Sequence, residues 1–264
     1  MILFNSDLDN TLIYSYKREI GDDKCCVEIY QEREISFMTK TSYQLLQKVN
    51  KGVCFVPTTT RTVEQYERID LGIGTPKYAL VCNGGKLLVD GVNDESWYQE
   101  SRERIQECDE VMQQAIRILE CDPHRTFEIR YIDQLFIFTK SDAPDDSIAY
   151  LKSNLDMSKV DVFKTGIKVY VTPKMLTKGN AVLRLKEKLK SEKVIAAGDS
   201  EFDLSMLQVA DIAFAPVELI KHMKQDVHFK SNYSKLDQHP NLIAHDGEGI
   251  FSERILQSIV DRCN

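Results

Sequence analysis

The chain has 264 residues, a formal net charge of −7 and 42% hydrophobic residues, with 34 Lys and Arg against 41 Asp and Glu. That length allows one large domain or a core with a smaller insert, and the apolar content supports a packed core. The acidic balance argues against a nucleic-acid or anionic-membrane binder, which presents a basic face; it leaves room for a phosphorylated small molecule, because a bound cation and a few local basic residues reverse the field inside a pocket.

In chain order, Ile2 to Ser6 reads as a buried strand and is followed by a long polar-rich stretch. A helical pattern runs from about Ser36 to Asn50, with Tyr43, Leu46 and Val49 on one side and Gly52 as a stop. Val53 to Val56 is a second buried strand, closed by Pro57 and the polar run Thr58-Thr59-Thr60-Arg61. A short helix carries Val63, Tyr66 and Ile69, and Tyr78 to Cys82 is a third strand ending at Asn83-Gly84-Gly85. Strand–helix–strand alternation of this kind predicts a doubly wound parallel sheet with helices on both faces.

The rhythm changes after Gly85. A short strand at Lys86 to Asp90 precedes a long amphipathic helix from Glu100 to Glu120, which carries Ile105, Cys108, Met112, Ala115 and Leu119. Two adjacent antiparallel strands, 127–131 and 135–139, a helix near 145–154, and strands near 160–164 and 168–171 follow, which predicts a small α+β domain inserted in the α/β one. Alternation resumes after Pro173 with a helix at 179–190, a strand at 193–197, a helix at 202–210, a strand at 211–215 and a helix at 217–225, and Phe251 to Cys263 forms a closing helix. The expected division is a core of 1–84 and 172–264 with an inserted domain at 85–171.

The seven Cys are odd in number and contain no C-x-x-C pair, which predicts a reduced, cytoplasmic protein rather than a disulfide framework. Asp7 and Asp9 fall where a secretory apolar segment would lie, and no apolar run is long enough for a membrane span, so neither a leader nor a membrane association is expected. His124, His222, His228, His239 and His245 have no metal-ligand spacing and read as structural or surface residues.

Chemistry concentrates where buried strands end. The first strand delivers Asp7-Leu8-Asp9-Asn10-Thr11: two carboxylates two positions apart, then a hydroxyl. One carboxylate can attack phosphorus while the other handles the leaving-group proton. Thr58 and Thr59 follow the second strand, and Gly198-Asp199-Ser200-Glu201-Phe202-Asp203 follows a later one. In open parallel sheets, ligands bind beyond the carboxyl ends of the strands, so these segments are expected to meet at one edge. Thr177-Lys178-Gly179 opens a helix, where backbone N–H groups and a Lys can face an anion. Asp199 offers a hard oxygen ligand suited to Mg²⁺, with Asp203 beside it or one layer out. The blander readings are a turn for Asp7 and Asp9, a helix cap for the threonines, a helix-dipole partner for Asp203 and a turn residue for Asn83.

Together these segments resemble the haloacid dehalogenase (HAD) superfamily of aspartate-nucleophile phosphatases, with Asp7 to Thr11, Thr59-Thr60-Arg61, Lys178, and Gly198 to Asp203 as its four motifs. The position of the insert between the second and third motifs, with Asn83-Gly84-Gly85 before it and Pro173 shortly before Lys178, is similar to the type IIB cap group. That group includes Cof-like, sucrose-phosphate and mannosylglycerate-phosphate phosphatases. The resemblance implies a Rossmann-like core with an α+β cap and a phosphomonoesterase acting on a small phosphorylated metabolite, a sugar or polyol phosphate, through an aspartyl-phosphate. It implies Asp7 as nucleophile, Asp9 as acid and base, and Thr59 and Lys178 on the phosphoryl group. Mg²⁺ is implied at Asp7, the backbone carbonyl of Asp9, and Asp199, with Asp203 beside them; Asn83 is a candidate substrate contact. Two departures stand out. Phe202 occupies a place where this group often has Asn, and the Thr58-Thr59-Thr60 run leaves the second motif's register open between Thr58 and Thr59. A sugar phosphomutase and a phospho-ligand sensor with weak turnover are the alternatives; intact Asp7 and Asp9 speak against the sensor, and Phe202 speaks for it.

Overall fold

The computed structural model describes residues 1–225 and 233–263, so His228 lies outside the described residues. The chain divides into two compact units, one of Met1–Asp94 with Thr177–Asn264 and one of Glu95–Leu176. The first unit is built on a five-stranded parallel sheet. Its central strand β1 (Ile2–Ser6) lies between β5 (Cys54–Pro57) on one side and β13 (Lys193–Ala197) on the other, with β14 (Ile212–Pro216) and β15 (Leu242–His245) continuing beyond β13. The first part of β1 is apolar because both its faces are covered: Leu3 and Phe4 are fully buried, and the Phe4 ring sits 5.6 Å from Phe55. Each such side chain contributes about 1.5–3 kcal/mol through burial.

The helices follow their sequence signals. Helix α1 (Lys40–Gly52) starts at Thr39, whose hydroxyl accepts the Ser42 N–H, and buries Leu45, Leu46 and Val49. The expected start at Ser36 is four residues early, because Arg33–Thr39 is a strand, β4. The polar stretch before it is also structured. β2 (Tyr14–Ser15), β3 (Lys24–Tyr30) and β4 form a three-stranded antiparallel sheet in the order β2-β4-β3.

The third expected parallel strand, β6 (Tyr78–Val81), pairs instead with β7 (Lys86–Val89) in an antiparallel sheet completed by β8 (Val92–Asn93). It reaches the parallel sheet through an isolated Thr58–Leu80 bridge. The cause is local: Cys82, Asn83 and Gly84 all take positive φ, which reverses the chain tightly enough for Lys86 onward to fold back on β6. That hairpin therefore belongs to the first unit, and the second begins at Glu95 rather than at residue 85.

In the second unit, the expected single helix is two, α3 (Glu95–Ile105) and α4 (Asp109–Glu120), separated by a 3₁₀ turn at Gln106–Cys108. A four-stranded antiparallel sheet takes the order β11 (Val160–Thr165), β12 (Lys168–Pro173), β10 (Phe136–Lys140), β9 (Arg130–Ile132). Ile137, Val162, Val169 and Val171 from the sheet share one core with Val111, Met112, Ala115 and Leu119 of α4 and Leu151 of α5 (Pro144–Asn154). Among the described residues, no helix is long and apolar enough to cross a membrane.

Candidate active site

Three parallel strands end level with one another. Ser6 is in register with both Ala197 and Pro57. The ladder runs one step further, with the Asp7 N–H donating to the Ala197 carbonyl at 2.9 Å and the Thr58 N–H to the Ser6 carbonyl at 2.7 Å. Asp7, Thr58 and Gly198 are thereby fixed at one sheet edge, as expected for residues beyond the carboxyl ends of parallel strands. Lys178 comes from the first turn of α6 (Lys178–Leu189), whose cap residue Thr177 accepts the Asn180 N–H. A Cβ at Gly179 would stand 2.4 Å from the Ser205 carbonyl oxygen, so glycine lets α6 seat against α7 (Leu204–Val209) and carries Lys178 inward.

Lys178 is buried, and its ammonium donates to Asp7 Oδ1 at 2.5 Å and to Asp203 Oδ1 at 2.6 Å. The other oxygen of Asp203 accepts the N–H groups of Asp199 and Ser200 at 3.1 and 3.0 Å and the Ser200 hydroxyl at 2.9 Å. Asp203 thus shapes the loop that presents Asp199. A side chain at Gly198 would place its Cβ 2.4 Å from the Asp203 carboxyl carbon, so that loop closes only with glycine there. Thr11, the hydroxyl of the first motif, donates to Asp199 Oδ1 at 3.0 Å.

Asp7, Asp199 and Asp203 each offer a carboxylate oxygen within 4.8 Å of the others. Burial pushes the Asp7 carboxyl well up; Lys178 opposes this, and Asp203, Asp199 and Asp9 add to it. Asp199 is pushed up to about 7, first by burial and then by Asp203, against the Thr11 hydrogen bond and Lys178. Lys178 itself is held above its ordinary value because Asp203 and Asp7 outweigh its burial. Three acids share one ammonium, so burial and mutual repulsion oppose ionising them all, and a bound cation would relieve that opposition. The site's oxygen-only donors suit a hard divalent cation such as Mg²⁺, so the residues fit the expected metal.

Asp9 lives differently. Its side chain is about half exposed, with 50% of its surface accessible, and it stands outside the three-acid group. Arg61 grips it side-on, with Nε to Oδ2 and Nη2 to Oδ1 both at 2.8 Å. The remaining nitrogen of Arg61 lies 2.8 Å from Glu28 Oε1 and donates to the Gln65 carbonyl at 3.3 Å. Glu28 is fully buried and also takes Arg68 and the Ser36 hydroxyl. Burial raises its carboxyl, but these donors, Arg61 first, outweigh that and hold it below the ordinary range. Asp9 and Glu28 together push the Arg61 guanidinium up, against its burial.

The two threonines of uncertain register also separate. The Thr58 hydroxyl donates to the Val56 carbonyl and accepts the Asn5 amide at 3.0 Å, so it is used within the sheet. The Thr59 hydroxyl accepts the Arg61 N–H at 3.1 Å, which leaves its own proton to donate. Asn83 is buried in a left-handed conformation, and its N–H donates to the Thr59 carbonyl at 3.0 Å. Its backbone therefore fixes the Thr59 loop. Asp7, Lys178, Asp199 and Asp203 come together, Thr59 and Asn83 are joined through the backbone, and Asp9 is tied to Arg61. Sequence reasoning placed Arg61 in the second motif with no task and missed Glu28 altogether. Its one signal was a lone acid flanked by Val27 and Ile29 in a strand-like run.

A parallel α/β sheet with an aspartate pair after its central strand, a buried lysine and an acidic metal-type group defines a hydrolase site of the aspartate-pair type. The family model for haloacid dehalogenase-like hydrolases matches residues 88–234, and the chain belongs to that family. It is similar to Phosphoglycolate phosphatase 2 of Saccharolobus solfataricus, at 27% identity over 188 residues, covering 68% of this chain and 72% of that protein. Among solved structures it is similar to the sucrose-phosphatase of Synechocystis sp. PCC6803, seen with sucrose and phosphate, with a TM-score of 0.66 at 19% identity, covering 98% of this chain and 97% of that one. A trehalose-6-phosphate phosphatase related protein superposes with a TM-score of 0.53 at 15% identity, covering 99% of this chain and 98% of that one. At such identities these two share the fold.

Proposed function

We propose that the chain is a Mg²⁺-dependent phosphomonoesterase that hydrolyses a small phosphorylated metabolite of the sugar or polyol class through an aspartyl-phosphate on Asp7. The observation that carries this reading is the buried Asp7 carboxylate with the Lys178 ammonium 2.5 Å from it. A nucleophile of this kind must stay ionised while an anionic phosphoryl group approaches, and a lysine anchored on its far side by Asp203 answers both charges. Asp7 Oδ attacks phosphorus as the bond to the leaving oxygen breaks, and Asp9 gives that oxygen its proton. A water then attacks the phosphoryl group and gives a proton to Asp9, and the Asp7–phosphorus bond breaks to release inorganic phosphate. Thr59 donates its hydroxyl proton to a phosphoryl oxygen. Asp7, Asp199 and the Asp9 carbonyl would hold Mg²⁺, with Asp203 beside them; when bound, the cation neutralises phosphoryl oxygens.

The unit Glu95–Leu176 acts in this reading as an inserted cap that sets substrate choice. The compartment is the cytoplasm, in keeping with the free thiols of Cys25, Cys26, Cys54, Cys82, Cys108 and Cys121. A panel of phosphorylated metabolites, with phosphate release measured with Mg²⁺ and with chelator, tests the proposal. Mg²⁺-dependent release from sugar or polyol phosphates is expected. Release that ignores the chelator removes the metal role, and no release from any monoester removes the phosphatase.

A further inference from the structure

We infer that Glu28, on the β3 strand of the hairpin sheet, is a positioning residue that fixes the acid–base group Asp9 by holding Arg61 between them. The inference rests on the reading of Asp9 as the proton donor and goes beyond it, because Glu28 lies outside all four motif segments.

The hairpin is shaped around this one side chain. The register of β3 against β4 shifts on both sides of Glu28, from Cys26–Phe37 to Glu28–Ser36 and again to Ile29–Glu34. Bulges re-aim side chains, and the extra residue here is Val27, left without a partner on β4 between Cys26–Phe37 and Glu28–Ser36, with Val27 and Glu28 both buried. The same segment is pinned just beyond the short helix α2 (Val63–Tyr66) that follows the second motif. Glu28 bridges Ile69, and the Asp70 N–H donates to the Val27 carbonyl at 2.8 Å.

Burying a carboxylate is costly unless it is fully paired, and this one is. Oε1 takes Arg61 at 2.8 Å and both Nε and Nη2 of Arg68, at 3.2 and 3.1 Å; Oε2 takes the Ser36 hydroxyl at 2.6 Å. The pairing leaves Arg61 a single way to point. With Nη1 held by Glu28 and the Gln65 carbonyl, the planar fork presents Nε and Nη2 to both oxygens of Asp9. Asp9 sits on a loop and is half exposed, so without this fork its carboxylate would sample several rotamers. Proton transfer to a leaving oxygen demands one of them.

The test uses the full-length protein with Mg²⁺ and two substrates: glycerol phosphate, whose alkoxide needs a proton to leave, and p-nitrophenyl phosphate, whose leaving group does not. Glu28→Gln is expected to lower kcat on glycerol phosphate by roughly 10–100-fold, while KM stays within about twofold and the aryl phosphate loses less than about threefold. In an Asp9→Asn background the same substitution should cost nothing further on glycerol phosphate. Equal losses on both substrates, or full additivity with Asp9→Asn, would overturn the inference. If Glu28→Gln fails to fold, Glu28→Asp keeps the charge but withdraws it from Arg61 and carries the same expectations. A second readout is independent of turnover. In ¹⁵N spectra, the Arg61 Nε–H signal, identified by its absence in Arg61→Lys, should be sharp and shifted in wild type and collapse toward the exposed arginine position in the Glu28 variant. An unchanged signal overturns the clamp even if the wild type proves to release no phosphate; failure of both substrates in wild type with a collapsing signal sinks the phosphatase reading and leaves the clamp standing.

Discussion

The two carboxylates of the first motif are two residues apart and are treated in opposite ways. Asp7 is buried, takes an ammonium from α6 and shares its site with two more acids, all delivered by the ends of parallel strands and by the starts of α6 and α7. Asp9 is half exposed and takes a guanidinium oriented from an antiparallel hairpin. A nucleophile gains from a dry, pre-arranged electrostatic site, whereas an acid that serves both a leaving group and a water needs access and a fixed direction. In the proposed mechanism, one backbone exit from β1 serves two tasks because different parts of the chain furnish the two surroundings.

The largest expected effect breaks the Asp7 side. Asp7→Asn keeps the shape but removes both the attacking oxygen and a metal-type donor, and turnover should fall by more than about a thousandfold on every substrate, alkyl or aryl. A variant retaining a tenth of wild-type activity would show that another group attacks. Asp9→Asn should break the comparison selectively. The loss on alkyl phosphates should be roughly 10²–10⁴-fold, with a much smaller loss on aryl phosphates, measured as kcat on matched pairs. Equal losses would make Asp9 a structural residue.

Lys178→Met probes burial itself. It leaves the Asp7 and Asp203 carboxylates buried without their common counter-charge. Breaking such a group should cost about 3–5 kcal/mol in the metal-free protein, read by denaturant unfolding, and saturating Mg²⁺ should restore part of it. Unchanged stability would mean that water or another cation already answers these charges.

The smallest effect is a pH slope. Asp199, pushed up to about 7 from the ordinary 3.8, keeps its proton in the folded chain across a window where the unfolded chain has lost it. The folded state binds the extra proton, so its contribution to stability is present below the unfolded value and is lost as pH rises through about 7. Mg²⁺ competes with that proton, so apparent Mg²⁺ affinity should rise over the same window. Asn mimics the protonated carboxyl at every pH, so without metal the melting temperature of wild type should fall progressively relative to that of Asp199→Asn from about pH 5 to about pH 8; a constant difference would remove this role for Asp199.

The same contrast explains what the sequence made legible. The Asp7 side was readable because its residues sit at the ends of continuous apolar runs, and parallel topology brings such ends together: Asp7 after Leu3 and Phe4, Asp199 after Ile195 and Ala196. The Asp9 side was hidden. β3 and β4 have seven residues each, but their pairing shifts register on both sides of Glu28, and the bulge at Val27 breaks the two-residue period that would have revealed them. Ile35, Phe37 and Met38 ran on into the helical pattern of α1 and shifted its apparent start from Lys40 to Ser36. In the inserted unit, the 3₁₀ break at Gln106–Cys108 left no trace, because Ile105 and Cys108 keep a helical spacing across it. β6 read correctly as a strand, but its partner depended on the tight Cys82–Gly84 turn, and a strand's apolar pattern does not say which sheet it joins.

The central claim is that Asp7, and not water, makes the first bond to phosphorus. Acid quenching the enzyme with a substrate labelled in its phosphoryl group, within a single turnover and with Mg²⁺ present, tests this most directly. The account predicts label bound covalently to wild type, released by hydroxylamine and mapped to the peptide containing Asp7, with none on Asp7→Asn and a longer-lived label on Asp9→Asn supplied with an aryl phosphate. Steady phosphate release by wild type with no trapped label at any time in the turnover, or label mapped to another residue, would contradict it.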